Sequence, residues 1–410
     1  MTERRAFRVA LLLWLAVGFG VCGSGPTPPA LAKDPQLTFE VAVPTDTPVN
    51  ADVWISGNHA ALGQWNGSGL KLTRAPDGRY TTSLSLPSGT ALEFKVTRGS
   101  WNTVEKSTSG EETSNRTLRV GTRSERVSLT VARWADSSSP LPPHTVAGNV
   151  RYLRDVASRH LPRKRDVIVW LPPDYDANPK RRYPVLYMHD GQNLMDSATS
   201  FSGEWRVDET AQQLVQSGTV EPLIIVGVYN TEDRFSEYTQ VQDTGEFAHL
   251  GGGNADAYGR FLVEELKPLI DKTFRTRKGA SDTGLAGSSL GGLVTLHLGL
   301  KYPNTFRRLG VVSPSVFWGN RDIVSRVKAL KKKPSSRVWV DIGTEESRGS
   351  QETVDDTRLL RDALVAQGWV AGKDLHYVEI PGAFHTESAW AERFDDILQF
   401  LYPAPATPAR

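Results

Sequence analysis

Gly287-Ser288-Ser289-Leu290-Gly291 forms a G-x-S-x-G pentapeptide, with a strand-like apolar run before it and a helix-like run, Leu293 to Tyr302, after it. A serine on a sharp strand-to-helix turn has its hydroxyl projected above the sheet, and the flanking glycines allow the crowded turn. Such a serine can attack an acyl carbon if a base within hydrogen-bond reach takes its proton. The plainer alternative is a Gly-Ser loop in which Ser289 only caps a helix. Three of the eight histidines follow it: His297, His376 and His385. His297 falls within the following helix and reads as packing, and His376 lies inside the strand-like run Leu375 to Ile380. His385 comes just after Pro381-Gly382, where a loop at the sheet's carboxyl edge would set it beside the serine.

A third group should hold the imidazole in its productive tautomer, and in this arrangement it lies between serine and histidine in the chain. The strand-like run Val338 to Ile342 ends in Gly343-Thr344-Glu345-Glu346, which puts two carboxylates in that loop. Glu346 is preferred and Glu345 comes next; Asp355 and Asp356 read as the solvated start of a helix. Acyl transfer also needs donors aimed at the oxyanion. The Leu290 N–H, directly after the nucleophile, is one. The loop His189-Asp190-Gly191-Gln192-Asn193 supplies the Gln192 N–H as the other, with His189 and Asp190 orienting that loop.

Two kinds of element must position these groups. From Val167 onward, apolar runs (Val167–Leu171, Val185–Met188, Leu223–Val228, Gly284–Ala286, Leu309–Val312, Val338–Ile342, Leu375–Ile380) alternate with amphipathic stretches, the clearest being Ala257–Thr273 and Val354–Gln367. Runs this apolar read as strands buried on both faces, so residues 148–402 are expected to form a mainly parallel sheet wrapped by helices. Residues 33–134 alternate with period two, as in Leu37-Thr38-Phe39-Glu40-Val41, between turns such as Ala75-Pro76-Asp77-Gly78, and predict a small β-sandwich. A Ser- and Pro-rich linker, 135–147, separates the two, and a Pro/Ala-rich tail, 403–410, follows.

Composition sets the outer limits. With 39% apolar and 23% charged residues, the 410-residue chain is globular. Arg4, Arg5 and Arg8 precede an apolar run of about 13 residues, short of the roughly 20 needed to span a membrane, and Ala30-Leu31-Ala32 supplies small residues for a signal peptidase. Residues 1–32 are therefore expected to be a signal peptide cleaved after Ala32, giving a periplasmic or secreted protein without a transmembrane anchor. The only cysteine, Cys22, lies in that segment, so the exported chain has no disulfide, cysteine nucleophile or thiolate metal site. Lys plus Arg number 48 against 46 for Asp plus Glu, which gives no argument for nucleic acid.

The region from about Gly148 to Tyr402 resembles the esterase branch of the α/β-hydrolases, the family of enterochelin esterases, feruloyl esterases and mycolyltransferases. The resemblance rests on Tyr187-Met188-His189-Asp190-Gly191-Gln192-Asn193-Leu194, Gly203-Glu204-Trp205, Gly287 to Gly292 and Pro381-Gly382-Ala383-Phe384-His385. It implies ester hydrolysis by Ser289, His385 and an acid after the seventh strand, with no metal or organic cofactor. Trp205, Arg234 and Tyr238 fall where such enzymes often shape the acyl pocket, or else pack a lid. The first domain resembles family 20 starch-binding modules and the related glycogen-binding modules through Ser56-Gly57-Asn58, Leu62-Gly63-Gln64-Trp65, Glu93-Phe94-Lys95-Val96, Trp101 and Asn115-Arg116. That resemblance implies a sugar platform of Trp65, Lys95 and Trp101, although the second tryptophan sits nearer the lysine than in starch-binding modules. The expected activity is hydrolysis of an acylated carbohydrate or an aryl or acyl ester. A siderophore trilactone esterase, acyl transfer to a sugar, and a glucan-binding protein with a silent hydrolase domain are the alternatives.

Overall fold

The computed structural model describes residues 34–107, 110, 112–137, 144–200, 203–231, 233–244, 251–346 and 351–405. The expected signal peptide with Cys22, part of the linker and residues 406–410 of the tail lie outside them.

Alternation builds the first region. On β1 (Gln36–Ala42), Leu37, Phe39 and Val41 are fully buried while Thr38 and Glu40 reach the surface. The strands β2 (Val53–Gly57), β3 (Leu70–Arg74), β4 (Tyr80–Ser85), β5 (Ala91–Thr97), β7 (Arg116–Arg119) and β8 (Glu125–Thr130) join β1 in the order β7-β5-β2-β3-β4-β1-β8. A short ribbon pairs β6 (Glu105–Lys106) with β9 (Arg133–Trp134). β3 and β4 share only two register pairs, Thr73 with Thr81 and Arg74 with Tyr80. The halves on either side of this link close over one core, and Phe39 of β1 meets Phe94 of β5 edge-on at 5.7 Å. This is the expected β-sandwich.

The second region is an α/β-hydrolase sheet of eight strands: β10 (Asn149–Val156), β11 (Arg165–Leu171), β12 (Val185–His189), β13 (Ile224–Val228), β14 (Thr283–Ser288), β15 (Arg308–Val312), β16 (Arg337–Gly343) and β17 (Leu375–Ile380). Their order is β10-β11-β13-β12-β14-β15-β16-β17. β12 through β17 run parallel, and β10 and β11 extend the sheet in antiparallel fashion. The apolar runs are buried on both faces: Val185 and Tyr187 enter one core, Leu186 and Met188 the other. β10 has no apolar run, because its edge position exposes much of it, and the sequence reading did not find it.

Nine helices cover the described sheet: α1 (Val207–Gln216), α2 (Arg234–Glu237), α3 (Ala255–Arg260), α4 (Lys267–Thr273), α5 (Leu290–Lys301), α6 (Trp318–Lys328), α7 (Glu352–Ala366), α8 (Glu387–Ala391) and α9 (Phe394–Leu401). The helix expected over Ala257–Thr273 is α3 and α4 joined by a π-helical turn, Phe261–Leu266. Pro268 stands just beyond this turn at the start of α4, where its missing N–H would interrupt a regular ladder. Strand order reverses at β12, between β13 and β14, and the crevice outside the carboxyl ends of the strands at such a point is where ligands bind in open α/β sheets.

Candidate active site

Ser289 directly follows β14 at that crevice with φ 59° and ψ −123°, a conformation few non-glycine residues adopt. Three backbone bonds hold it there: its N–H donates to Val312 O at 3.0 Å, and its C=O accepts from Ser315 N at 3.1 Å and Leu293 N at 3.1 Å. The neighbouring glycines are required by packing. A Cβ on Gly287 would stand 2.9 Å from His189 Cδ2, and one on Gly292 would stand 2.8 Å from Val312 O. The Ser289 hydroxyl faces Ser315 Oγ at 3.3 Å.

His385 lies after β17 and lines the same cavity as Ser289. Its Nδ1 is hydrogen-bonded to Glu346 Oε2, and its ring meets Trp390 edge-on at 5.0 Å. Among the described residues no hydrogen bond joins His385 to Ser289. The Glu346 side chain is 2% exposed, and its other oxygen accepts from Gly343 N at 2.8 Å and from Ser313 Oγ at 2.5 Å. Burial alone would push this carboxyl up. The charge of His385 and the hydrogen bonds from His385, Ser313 and Gly343 outweigh it, so the net shift is downward and the anion is favoured. Glu345 stands on the cavity wall with an exposed residue environment, and it is Glu346 that meets the imidazole.

Behind Glu346 is a network that motif reading missed. The Ser313 hydroxyl, which donates to Glu346, accepts from Trp390 Nε1 at 3.0 Å and Arg393 Nη2 at 2.7 Å. Arg393 also donates to the fully buried Asp341 at 2.9 Å. The available signal was Ser313-Pro314-Ser315 directly after an apolar strand, at the edge where the nucleophile sits.

Leu290 is the first residue of α5, and Gln192 lies in a one-turn 3₁₀ helix, Gly191–Asn193, after β12. First-turn N–H groups have no partner inside their own helix; Gln192 lines the cavity with Ser289, and Leu290 directly follows Ser289 in the chain. The loop around Gln192 is pinned from the side. Asp190, at φ 57°, takes a two-pronged contact from Arg234, Nε at 2.7 Å and Nη2 at 2.8 Å, and a third bond from Asn230 at 2.5 Å. Burial would raise the Asp190 carboxyl, yet the Arg234 charge and these bonds bring it below the usual range. His189 bonds Tyr258 at 2.9 Å rather than Asp190, and burial lowers its imidazole to about 4. His297 pairs with Asp256 at 3.0 Å, and His376 stacks on Trp339 at 4.3 Å.

Two expected substrate contacts are corrected. Trp205 is buried against Trp390 and Phe394, and Tyr238 is fully buried between His189 and Tyr258; neither lines the cavity. Their apolar bulk pulls them under the site and not into it. Arg234 does reach the wall, already committed to Asp190.

The cavity, of about 1100 Å³, is lined by both regions of the chain. From the sandwich come Trp65 and Trp101, their rings 6.0 Å apart and tilted by 35°, with Trp101 Nε1 donating to Trp65 O at 2.9 Å. Lys95 also lines it, but its buried ammonium is bonded to Glu112 and to Thr113 O, which leaves one donor of three for a sugar. Burial lowers that lysine to about 8. Apart from the cavity, Glu204, Asp208 and Glu209 each bring a carboxylate oxygen within 4.8 Å of the others near the start of α1. Among the described residues no helix is long and apolar enough to cross a membrane.

Comparison with known proteins agrees with both regions. The family described as Putative esterase matches residues 158–401, and that described as Starch binding domain matches residues 35–130. An alpha-amylase of Niallia circulans is 45% identical over 111 residues, 26% of this chain and 8% of the amylase. An endo-1,4-beta-xylanase/feruloyl esterase of Xylanibacter ruminicola is 25% identical over 237 residues, 57% of this chain and 29% of that protein. The chain thus spans less than a third of the length of either relative. The solved enterobactin esterase FES of Shigella flexneri, with enterobactin, has a TM-score of 0.53 at 15% identity, covering 89% of this chain and 92% of that one, a likeness of fold.

Proposed function

The chain belongs to this esterase family of carboxylic ester hydrolases, and on that premise we propose that it is an exported serine esterase working through an acyl-enzyme intermediate. Ser289 Oγ bonds to the acyl carbon while His385 takes its proton. The oxygen that gains charge faces the Leu290 and Gln192 N–H groups. The bond to the alcohol oxygen then breaks, and His385 returns the proton to the leaving alcohol. Water, deprotonated by His385, releases the acid and restores Ser289. Glu346 keeps Nδ1–H bonded and Nε2 free for this exchange. To act, Nε2 must replace Ser315 as the partner of Ser289, a tightening common when substrate enters an apo site.

The observation that carries the reading is Ser289, held at φ 59° on a strand-to-helix turn, opening on the same cavity as a histidine bonded to a buried carboxylate. The sandwich is proposed to bind glucan through Trp65 and Trp101. The ester is read as an acylated carbohydrate or an aryl ester. A ferric siderophore fits less well, because Lys95 and Arg234, the lysine and arginine on the described cavity wall, are already paired to Glu112 and Asp190 and leave no spare cation for an anionic ligand.

The test is hydrolysis of short-chain p-nitrophenyl esters by the mature protein beside Ser289→Ala and His385→Ala. Loss of roughly a hundredfold or more in both variants is expected. Turnover by Ser289→Ala at the wild-type rate would refute the nucleophile. Export is checked by the N-terminal sequence of the secreted protein, expected to begin at Lys33.

A further inference from the structure

The glucan platform of a binding module is usually pictured as a remote anchor, but here the two indoles open on the cavity that holds the nucleophile. At about 1100 Å³ that cavity exceeds the usual range of a small-molecule pocket, roughly 300 to 1,000 Å³, so an acyl group alone leaves most of it empty. Its two walls differ in chemistry. On the sandwich side, Trp65 and Trp101 share the wall with the neutral amides and hydroxyl of Asn66, Asn102, Asn115 and Ser100, with Glu93 and with the ion-paired Lys95 and Glu112. Tilted indole faces with neutral donors and acceptors around them suit the apolar faces and equatorial hydroxyls of a sugar. On the hydrolase side, Phe384, 43% exposed, stands beside His385. The surplus of carboxylates over cations disfavours an anionic occupant and leaves a neutral one unopposed.

We propose that Trp65 and Trp101 are specificity-determining residues of the esterase site itself. They hold the glucan chain that carries the ester, so the substrate is an O-acylated α-glucan whose sugar hydroxyl is the leaving group. This rests on the serine-esterase reading above. In the step, the bond between the acyl carbon and the glucan oxygen breaks, Ser289 Oγ takes the acyl group, and the glucan leaves with the proton carried by His385. Water then yields the free carboxylic acid, so the products are acid and deacylated glucan. The rigid Trp101–Trp65 contact, fixed by the Nε1 hydrogen bond, keeps the platform in place before substrate arrives.

The experiment compares kcat/KM for O-acetylated maltotriose, too short to reach the site from a distant anchor, with that for p-nitrophenyl acetate. It uses the full chain, wild type and the Trp65→Ala/Trp101→Ala double variant. The ratio of the two values is expected to fall by about tenfold or more in the double variant, mainly through KM. Trp65→Phe/Trp101→Phe, which keeps aromatic faces, should recover much of it, separating lost stacking from misfolding. Plain maltotriose should also slow p-nitrophenyl acetate hydrolysis by the wild type. An unchanged ratio, or a double variant that only loses retention on insoluble starch, would make the module a remote anchor and overturn the proposal while Ser289 chemistry stands. Absence of activity on every ester, with Ser289→Ala equal to wild type, would instead remove the esterase reading on which it rests.

Discussion

The Glu346 carboxylate is buried, yet Ser313, Gly343 N–H and His385 stabilise its charge. Glu346→Gln keeps the volume but can no longer stabilise an imidazolium, and kcat/KM is expected to fall by roughly a hundredfold or more with little change in KM, read from steady-state kinetics. Ser313→Ala should act on stability as well, because it leaves Trp390 Nε1 without its acceptor and Glu346 short of one donor. Leaving a buried polar group unsatisfied costs about 1–3 kcal/mol, visible as a lower urea midpoint with an unchanged slope. His189 sets a pH limit. Burial lowers its imidazole to about 4, below the unfolded value of 6.5, so the unfolded chain binds the extra proton first. The stability linked to neutral His189 is complete above about 6.5 and declines as pH falls toward 4, by on the order of 3 kcal/mol in full. Thermal melts between pH 7 and 4.5 should show this loss in the wild type and a shallower one in His189→Gln.

The turn from β14 into α5 is the element that makes the site. All residues from Leu290 to Gly299 in α5 are buried, so this helix is packed on every side and its glycines bring it close to the sheet. Alanine in a helix is worth about 1 kcal/mol over glycine, but a Cβ on Gly292 meets the Val312 carbonyl oxygen at 2.8 Å, and overpacking a core costs about 1–3 kcal/mol. The clash outweighs the propensity, so Gly292→Ala should destabilise the fold. Because the same Val312 oxygen accepts the Ser289 N–H, activity should fall before the protein unfolds, as rates and melting curves measured together would show. The joint of α3 and α4 teaches a related lesson. Apolar spacing foretold one helix there, and the proline within it was accommodated by widening a turn, not by ending the helix.

At the scale of the whole molecule, charge in the cavity decides which esters can enter. Four of the seven carboxylates on the cavity wall are paired, as are both cations, so the wall keeps an excess of negative charge that repels a polyanion, and salt screens that repulsion. The kcat/KM for a ferric triscatechol trilactone should therefore be low and rise with ionic strength, whereas that for a neutral acylated sugar should stay flat; stopped-assay rates from about 0.02 to 0.5 M salt distinguish the two. The sequence by itself determined the strand–turn–helix around Ser289, the alternation of the sandwich and the doubly apolar strands of the sheet, because turn chemistry and hydrophobic period are local properties. It also pointed to His385 as the histidine and preferred Glu346 to Glu345 as its carboxylate partner. Only the tertiary structure showed which of the two carboxylates bonds His385, moved Trp205 and Tyr238 into the core, and joined Ser313, Trp390 and Arg393 behind Glu346. It likewise brought Trp65 and Trp101 to the cavity of Ser289. Each of these depends on which way a side chain points once segments distant in the chain pack together, and residue spacing carries no record of that direction.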